Sequence, residues 1–239
     1  FFMKYMSLLP ILALLLCACG APQDLPYSTE ASSAPEEILP PPEQEPAPPP
    51  ETQPLPPPED TDFVLVTDYL PTVAVDLKYA TSDNFTGSVI YDFSGAYLRY
   101  GTVQKLQAVM EDLDAAGYTL KIWDAFRPTA AQFKLWEVCT DPMYVSDPHQ
   151  GFSSHSRGNT LDVTLLRSDG SAVEMPTGFD DFSALADRDY SDVPSPAADN
   201  ARYLETVMTE HGFRPYQGEW WHFSDTDSYE VDQTFQPPQ

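Results

Sequence analysis

The sequence has few cysteines, and their positions exclude a disulfide framework. Only three occur among the 239 residues. Cys17 and Cys19 lie close together near the N-terminus, whereas Cys139 is alone in the long segment that follows. A disulfide-stabilised secreted domain needs an even set of paired cysteines. We therefore expect a domain that is stabilised by a hydrophobic core.

Basic residues are also scarce. The chain has 12 lysines and arginines against 37 aspartates and glutamates, which gives a formal net charge of −25 at pH 7. Residues 63–239 alone have 27 acidic and 11 basic residues, a net charge of −16. Nucleic acids and anionic lipid surfaces attract basic proteins, so this composition argues against either as a partner.

No apolar run is long enough for a membrane-spanning helix. Lys4 precedes an apolar stretch over residues 8–19, and a spanning helix needs about 20 residues. A positive start followed by a short apolar run indicates a signal segment over residues 1–19. The small Ala18 before Cys19 favours lipoprotein processing with lipidation at Cys19, and bulky Leu16 makes Cys17 a poorer site. The alternative is an ordinary cleaved signal peptide.

Residues 20–62 have the composition of a tether. They contain fourteen prolines and ten acidic residues but no lysine or arginine. Such a segment cannot bury a core and favours extended polyproline II. At about 3.1 Å per residue, some 40 residues reach on the order of 120 Å. We expect a disordered tether ahead of the domain.

Residues 63–239 are long enough for one compact core. Helix 102–116 has its apolar side chains on one face and Gly117 as its stop. A turn-rich segment, 167–198, could fold over a site. The mixture predicts an α+β fold in which helices pack on a largely antiparallel sheet. The predicted strands are 63–67, 73–77, 118–123, 161–166 and 220–223, and the predicted helices are 102–116, 129–138 and 201–210.

Two short motifs supply residues that bind divalent metal ions. His155 and Asp162 lie seven residues apart where a loop enters a strand, and Glu219-Trp220-Trp221-His222-Phe223 supplies a second histidine. Imidazole and carboxylate suit Zn²⁺, and three protein ligands leave the fourth position to water, as in catalytic sites. Glu219, three residues before His222, is the candidate acceptor for a proton from that water.

Four motifs together resemble one enzyme family. They are KYATSDNFTG at residues 78–87, WDAFRP at 123–128, SSHSRGNTLD at 153–162 and EWWHF at 219–223. In this order they resemble the D-alanyl-D-alanine dipeptidases of the vancomycin-resistance type, which are zinc peptidases of the peptidase M15 family. The resemblance covers residues 63–230. It implies the zinc D,D-peptidase fold, which is hedgehog-like, and one Zn²⁺ per chain.

The resemblance also implies individual roles. His155, Asp162 and His222 match the zinc ligands, Glu219 the general base and Arg127 the arginine that stabilises the transition state. Tyr79, Ser153 and Asp180 match substrate-binding positions, with Asp181 next to Asp180 as the neighbouring alternative. Without the resemblance, Arg127 pairing with Asp124 in a loop and Glu219 as a solvated charge are the plainer interpretations.

The expected function is zinc-dependent hydrolysis of D-Ala-D-Ala to two D-alanines by a lipoprotein that is anchored through Cys19 and faces the cell wall. One alternative is a D,D-carboxypeptidase that trims peptidoglycan stem peptides; the double tryptophan before His222 favours the dipeptidase. Another is a non-catalytic, zinc-containing wall-binding lipoprotein, which would need neither Glu219 nor Arg127. The sequence leaves nutrient salvage, wall remodelling and glycopeptide resistance open as roles.

Overall fold

A five-stranded sheet flanked by helices is the framework of the fold. The structure is a computed structural model that describes residues 56–239 except Met143. The predicted signal segment, Cys19 and most of the predicted tether lie outside the described residues. The elements in chain order are β1 (Phe63–Leu65), α1 (Val66–Tyr69), β2 (Ala74–Val75), β3 (Tyr97–Arg99), α2 (Tyr100–Ala115), β4 (Tyr118–Asp124), α3 (Thr129–Val138), β5 (Thr160–Arg167), α4 (Ser195–Glu210), β6 (Phe213–Tyr216) and β7 (Glu219–Asp225), with 3-10 turns at Lys78–Ala80, Ser154–Arg157 and Ala184–Ala186.

The strands of the main sheet lie in the order β2-β4-β5-β7-β6. Strand β2 is parallel to β4, and the other neighbours are antiparallel. Strands β1 and β3 form a separate antiparallel pair. The predicted α+β class, with helices on a largely antiparallel sheet, is confirmed.

The helices form where the sequence places apolar side chains on one helical face. Helix α2 buries the apolar stripe that defined it in the sequence, and it ends just before Gly117, whose φ of +82° is a conformation that glycine adopts without strain. Helix α3 spans the predicted residues, whereas α4 begins earlier than predicted, with Pro196 in its first turn. Across residues 56–142 and 144–239, no helix has the length and hydropathy needed to cross a bilayer.

Two short strands were not predicted from the sequence. Strand β3 has three residues, and β6 contains Arg214 and Pro215, which do not indicate a strand. Strand β6 lies at the outer edge of the sheet, where a proline is tolerated because no further strand needs its missing N–H. The predicted strand over residues 63–67 is shorter than expected, because the chain turns into α1 at Val66.

Packing of the domain begins ahead of Phe63. The backbone N–H of Tyr100 donates to the Asp62 carbonyl at 2.8 Å, and that of Gly101 donates to the Asp60 carbonyl at 3.0 Å. The carboxylate of Asp62 accepts a hydrogen bond from the Glu59 backbone. Residues 59–62 therefore form a turn against the start of α2.

A buried arginine fixes the turn that carries His155. The Arg99 Nε donates to the Arg157 carbonyl at 3.0 Å, and its Nη2 donates to the Glu230 carbonyl at 2.9 Å. Its backbone N–H bonds the Gly158 carbonyl at 2.8 Å, and its guanidinium lies 3.9 Å from the centre of the Phe63 ring. Arg99 thus joins β3, the 3-10 turn Ser154–Arg157 and the C-terminal segment.

Candidate active site

Three polar side chains line up across the centre of the sheet. Asp162 on β5 stands opposite Asp124 on β4 and opposite His222 on β7. Directly opposed residues point to the same face of a sheet, so the pairing register brings these three together. Asp124 and Asp162 are buried, and His222 is half-buried.

The 3-10 turn before β5 adds His155 to this row. Its Nε2 lies 3.3 Å from Asp162 Oδ2, and its Nδ1 lies 2.9 Å from the Ala125 carbonyl oxygen. A carbonyl only accepts, so Nδ1 is the protonated nitrogen and the Nε2 lone pair faces Asp162. Gly158 ends the turn with a φ of +77°, and a Cβ at this position would meet the Phe63 ring at 2.2 Å. A side chain at this position would therefore strain the backbone and displace the Phe63 ring.

His155, Asp162 and His222 have the geometry of a metal site. One ligand atom from each residue lies within 4.8 Å of the others. The Asp162 Oδ1 is 3.0 Å from His222 Nδ1, but the contact does not have hydrogen-bond geometry, and this buried oxygen has no hydrogen-bond partner. A buried carboxylate oxygen without a partner is costly unless a cation completes its shell. The set fits a divalent metal that accepts nitrogen and oxygen ligands.

The charges within this cluster are mutually stabilising. Burial alone would raise the pKa of Asp162, but the neighbouring imidazoles of His155 and His222 hold that pKa well below its ordinary value. Burial lowers the pKa of His155, but the carboxylates of Asp162 and Asp124 outweigh this effect and leave the pKa raised. The imidazoles thus keep the buried carboxylate of Asp162 anionic in the site.

Glu219 lies beside the cluster, at the start of β7. Its Oε2 is 3.4 Å from His222 Nδ1, and its side chain is half-buried. Burial is the main cause that raises the pKa of Glu219, with a further contribution from the negative charge of Asp162. A carboxylate with a raised pKa accepts protons more readily than a solvated one.

Arg127 lies three residues after the end of β4, and hydrogen bonds hold its guanidinium on several sides. Its Nε and Nη2 donate to Asp124 Oδ2 at 3.0 and 2.5 Å, and its Nη1 donates to Gln132 Oε1 at 3.0 Å. The guanidinium lies 5.0 Å from the centre of the Tyr79 ring. The pairing with Asp124 considered from the sequence is therefore present. Asp124 and Gln132 together engage three of the five N–H donors of the guanidinium, so two donors remain for a ligand.

Asp180 and Tyr79 form a second polar pair at the site. The Tyr79 hydroxyl donates to Asp180 Oδ2 at 2.8 Å. Burial raises the pKa of Asp180 to about 7, against the lowering effect of that hydrogen bond. Its φ of 54° lies in the left-handed region, which aspartate tolerates better than most residues. The carboxylate of Asp181 instead accepts a hydrogen bond from the Ser183 backbone at 2.9 Å.

One cavity of about 240 Å³ lies between the metal-site residues, Arg127 and the Tyr79–Asp180 pair. All eight residues predicted from the sequence to bind metal, catalyse or bind substrate line it. Five further lining residues were not assigned to the site from the sequence: three lie in the loop before the His155 turn, Ser154 begins that turn, and Tyr216 ends β6. The named residues are Tyr79, Arg127, Ser153, His155, Asp162, Asp180, Glu219 and His222, and the additional ones are Pro142, Tyr144, Ser146, Ser154 and Tyr216.

Aromatic side chains connect three loops at the rim of this cavity. Phe182 lies 4.5 Å from Tyr144 and 5.4 Å from Phe85, measured between ring centres. Phe85 in turn lies 6.5 Å from Tyr79. The turn-rich segment that contains Asp180 and Phe182 therefore packs beside the cavity, as the sequence suggested for residues 167–198.

Similarity to known proteins is consistent along most of the chain. Residues 59–238 match the family model of peptidase M15, described as D-ala-D-ala dipeptidase. A D-alanyl-D-alanine dipeptidase of Escherichia coli (strain K12) is 37% identical over 163 residues, which cover 68% of this chain and 84% of that protein. The D-alanyl-D-alanine dipeptidase of Enterococcus faecalis is 30% identical, and the match covers 69% of this chain and 91% of that protein. The one of Streptomyces coelicolor is 31% identical, and the match covers 68% of this chain and 91% of that protein.

Two solved structures resemble the chain more distantly. One is the vancomycin-resistance D,D-pentapeptidase of a VanB-type cassette in complex with zinc, with a TM-score of 0.39, 15% identity, and coverage of 56% of this chain and 75% of that one. The other is an LD-carboxypeptidase, with a TM-score of 0.36, 19% identity, and coverage of 58% and 61%. The family predicted from the four motifs is confirmed by the family model and the curated relatives. The chain belongs to the peptidase M15 family of D-ala-D-ala dipeptidases, which are zinc metallopeptidases.

Proposed function

We propose that this protein hydrolyses the dipeptide D-Ala-D-Ala to two D-alanines, with one Zn²⁺ held by His155, Asp162 and His222. The observation that carries the proposal is the convergence of this ligand set with Glu219 in one cavity. A volume of about 240 Å³ is below the roughly 300–1,000 Å³ of sites for drug-sized ligands, which favours a small substrate.

The metal ion would supply Lewis-acid polarisation and lower the pKa of a bound water towards about 7. Glu219 is placed to accept a proton from water and to deliver it to the leaving amine. The raised pKa of Glu219 suits both accepting and releasing the proton, because a catalytic group is most effective when its pKa lies near the operating pH. A purely structural metal site has no use for such a group.

Arg127 stabilises negative charge that develops on the carbonyl oxygen. Asp124 and Gln132 fix its guanidinium before the substrate arrives, so little reorganisation is needed during the reaction. Preorganised donors of this kind commonly contribute about 3–4 kcal/mol each to the transition state. Asp124 therefore supports catalysis through the orientation of Arg127.

Asp180 binds the free ammonium of the dipeptide. The hydroxyl of Tyr79 orients the carboxylate of Asp180 through the 2.8 Å hydrogen bond. Ser153 is buried and lines the same cavity, where its hydroxyl can contact the substrate. A longer stem peptide has an amide at this position and cannot form the ion pair. This distinction favours a dipeptidase over a D,D-carboxypeptidase.

The surface location remains part of the proposal. It rests on the N-terminal sequence: an apolar segment, Ala18 before Cys19, and a proline-rich stretch long enough to separate a domain from a membrane. We infer that the enzyme is tethered through a lipid at Cys19 and acts on the cell-wall side. This location makes depletion of cytoplasmic D-Ala-D-Ala an improbable role.

A substrate panel tests the proposed function. The zinc-loaded protein is incubated with D-Ala-D-Ala, with L-Ala-L-Ala and with a pentapeptide that ends in D-Ala-D-Ala, and the released alanine is measured. We expect rapid release from D-Ala-D-Ala alone. Equal cleavage of the pentapeptide would replace the dipeptidase with the carboxypeptidase, and no cleavage of any substrate would support the non-catalytic alternative.

A further inference from the structure

The strand that carries His222 is paired incompletely on one side. Along the β6–β7 ladder Pro215 is paired with Phe223, but the next residue, Tyr216, is paired with Glu219. Residues 220–222 of β7 therefore have no pairing partner on β6. A break of this kind re-aims side chains and occurs often next to active sites. Some other group must fix the backbone there if His222 is to keep its orientation.

Arg188 fills this break. Its Nε donates to the Tyr216 carbonyl at 2.8 Å, and its Nη2 donates to the His222 carbonyl at 3.1 Å. Its backbone N–H donates to the Gln217 carbonyl at 3.1 Å. Its Nη1 donates to Glu205 Oε2 on α4 at 3.0 Å. One side chain thus joins both ends of the irregular stretch to a helix.

The surroundings hold this guanidinium in one place. Its side chain is 3% exposed, and its central carbon lies 4.6 Å from the centre of the buried Phe223 ring. Glu205 provides the balancing charge. The planar fork of arginine can reach two carbonyls and a carboxylate at once, which the single ammonium of lysine cannot do.

We propose that Arg188 is a positioning residue for the metal site. It replaces the missing ladder bonds between β6 and β7, and it thereby fixes the direction in which His222 and Glu219 face Asp162. The inference rests on the proposed function, because it assigns Arg188 to the proposed zinc ligands. Arg188 acts through the backbone of His222 and contacts neither the substrate nor the metal.

The test compares the full-length wild type with Arg188→Lys. Zinc affinity is measured by competition with a chelating dye, and melting temperatures are measured with and without zinc. We expect zinc binding to weaken about 10–100-fold, as for other residues that orient metal ligands. The rise in melting temperature on zinc addition should shrink accordingly. The visible spectrum of the Co²⁺-substituted protein should change, because it reports ligand geometry.

The matched control is Arg202→Lys on α4, whose contacts are with Asp199 and Tyr190. It should keep wild-type zinc affinity. If Arg188→Lys instead lowers both melting temperatures equally and leaves zinc affinity and the Co²⁺ spectrum unchanged, Arg188 is only a stability residue and the inference is wrong.

A milder variant covers the case in which Arg188→Lys does not fold. Glu205→Gln keeps a hydrogen-bond acceptor but removes the charge that holds Arg188, so it should weaken zinc binding in the same direction by a smaller factor. Unchanged zinc affinity in a folded Glu205→Gln protein would then overturn the inference. Failure of the wild type to bind zinc would contradict the proposed function itself.

Discussion

Asp162 and His222 face each other across β5 and β7, with Asp162 Oδ1 3.0 Å from His222 Nδ1. Two motifs that are 60 positions apart in the sequence therefore become neighbours through one antiparallel pairing register. A shift of that register by one residue would turn His222 to the other face of the sheet and dismantle the site. The sheet is thus the element that assembles the proposed zinc ligands.

Replacement of Glu219 should separate metal binding from turnover. Glu219→Gln is expected to keep about one zinc per chain but to lose roughly 10²–10⁴-fold in kcat, which is the usual contribution of a general base. Metal analysis and steady-state kinetics on the same preparation provide the measurement. Glu210→Gln, at the exposed end of α4, is the control. Near-full activity in a zinc-loaded Glu219→Gln protein would remove the proton-transfer role.

The raised pKa of Asp180 predicts a pH-dependent stability in the metal-free protein. Its carboxyl has a pKa of about 7 in the fold and an ordinary value of 3.8, so the folded state retains a proton that the unfolded state loses. Stability should therefore fall as the pH rises through the window between about 4 and 7. Asp180→Asn cannot ionise, and it keeps an acceptor for Tyr79.

We expect Asp180→Asn to be more stable than the wild type at pH 8 by roughly 1–3 kcal/mol, since one pKa unit corresponds to about 1.4 kcal/mol and Asp180 is half-buried. The difference in stability between Asp180→Asn and the wild type should become smaller towards pH 5. Urea unfolding at both pH values measures it, and Asp181→Asn should show no such difference. A destabilised Asp180→Asn protein at pH 8 would contradict the burial of this carboxylate.

Asp180 should also control substrate length. A hydrogen-bonded ion pair with the dipeptide ammonium contributes roughly 1.5–3 kcal/mol, or about 10–100-fold in kcat/KM. Asp180→Ala should therefore lower kcat/KM for the dipeptide by this factor while zinc stays bound. The preference for the dipeptide over the pentapeptide should become smaller. Asp181→Ala is the control, because its carboxylate bonds the Ser183 backbone. If only Asp181→Ala narrows the preference, the assignment is displaced by one residue.

The chemistry of the site was largely predictable because it is carried by residue types within short motifs. His155, Asp162 and His222 were identified from the sequence, and the structure brings them within 4.8 Å. Glu219 lies in the same motif as His222, whereas Arg127 lies in a separate motif at residues 123–128. Within one motif the spacing fixes which groups lie close together, and the pairing of β5 with β7 brings the separate motifs into one site.

Features that depend on long-range packing were not predictable. Tyr144 reaches the cavity from a loop and Tyr216 from the end of the unpredicted strand β6, and no local pattern encodes either position. Arg188 resembled any charged residue in a turn-rich segment, since its partners on β6, β7 and α4 lie far along the chain. Strand β6 was missed because Arg214 and Pro215 are poor strand formers, and pairing with β7 outweighs their propensity.

The proposed lipidation of Cys19 can be tested by mutation. Cys19→Ser should release the protein from the membrane fraction, because a thioether-linked lipid cannot form on serine. Fractionation of cells that express the wild type and the variant measures this directly. Cys17→Ser is the control and should remain membrane-bound. Retention of Cys19→Ser at the membrane would contradict lipidation at this residue.

Zinc titration of the metal-free protein tests the central claim most directly. D-alanine release from D-Ala-D-Ala is followed as zinc is added to the wild type, to His222→Ala and to His211→Ala, whose histidine pairs with Asp112 away from the cavity. In the wild type and His211→Ala, activity should rise with zinc and saturate at about one equivalent. His222→Ala should bind less zinc and remain nearly inactive. Full activity without metal, or unchanged zinc content and activity in His222→Ala, would contradict the account.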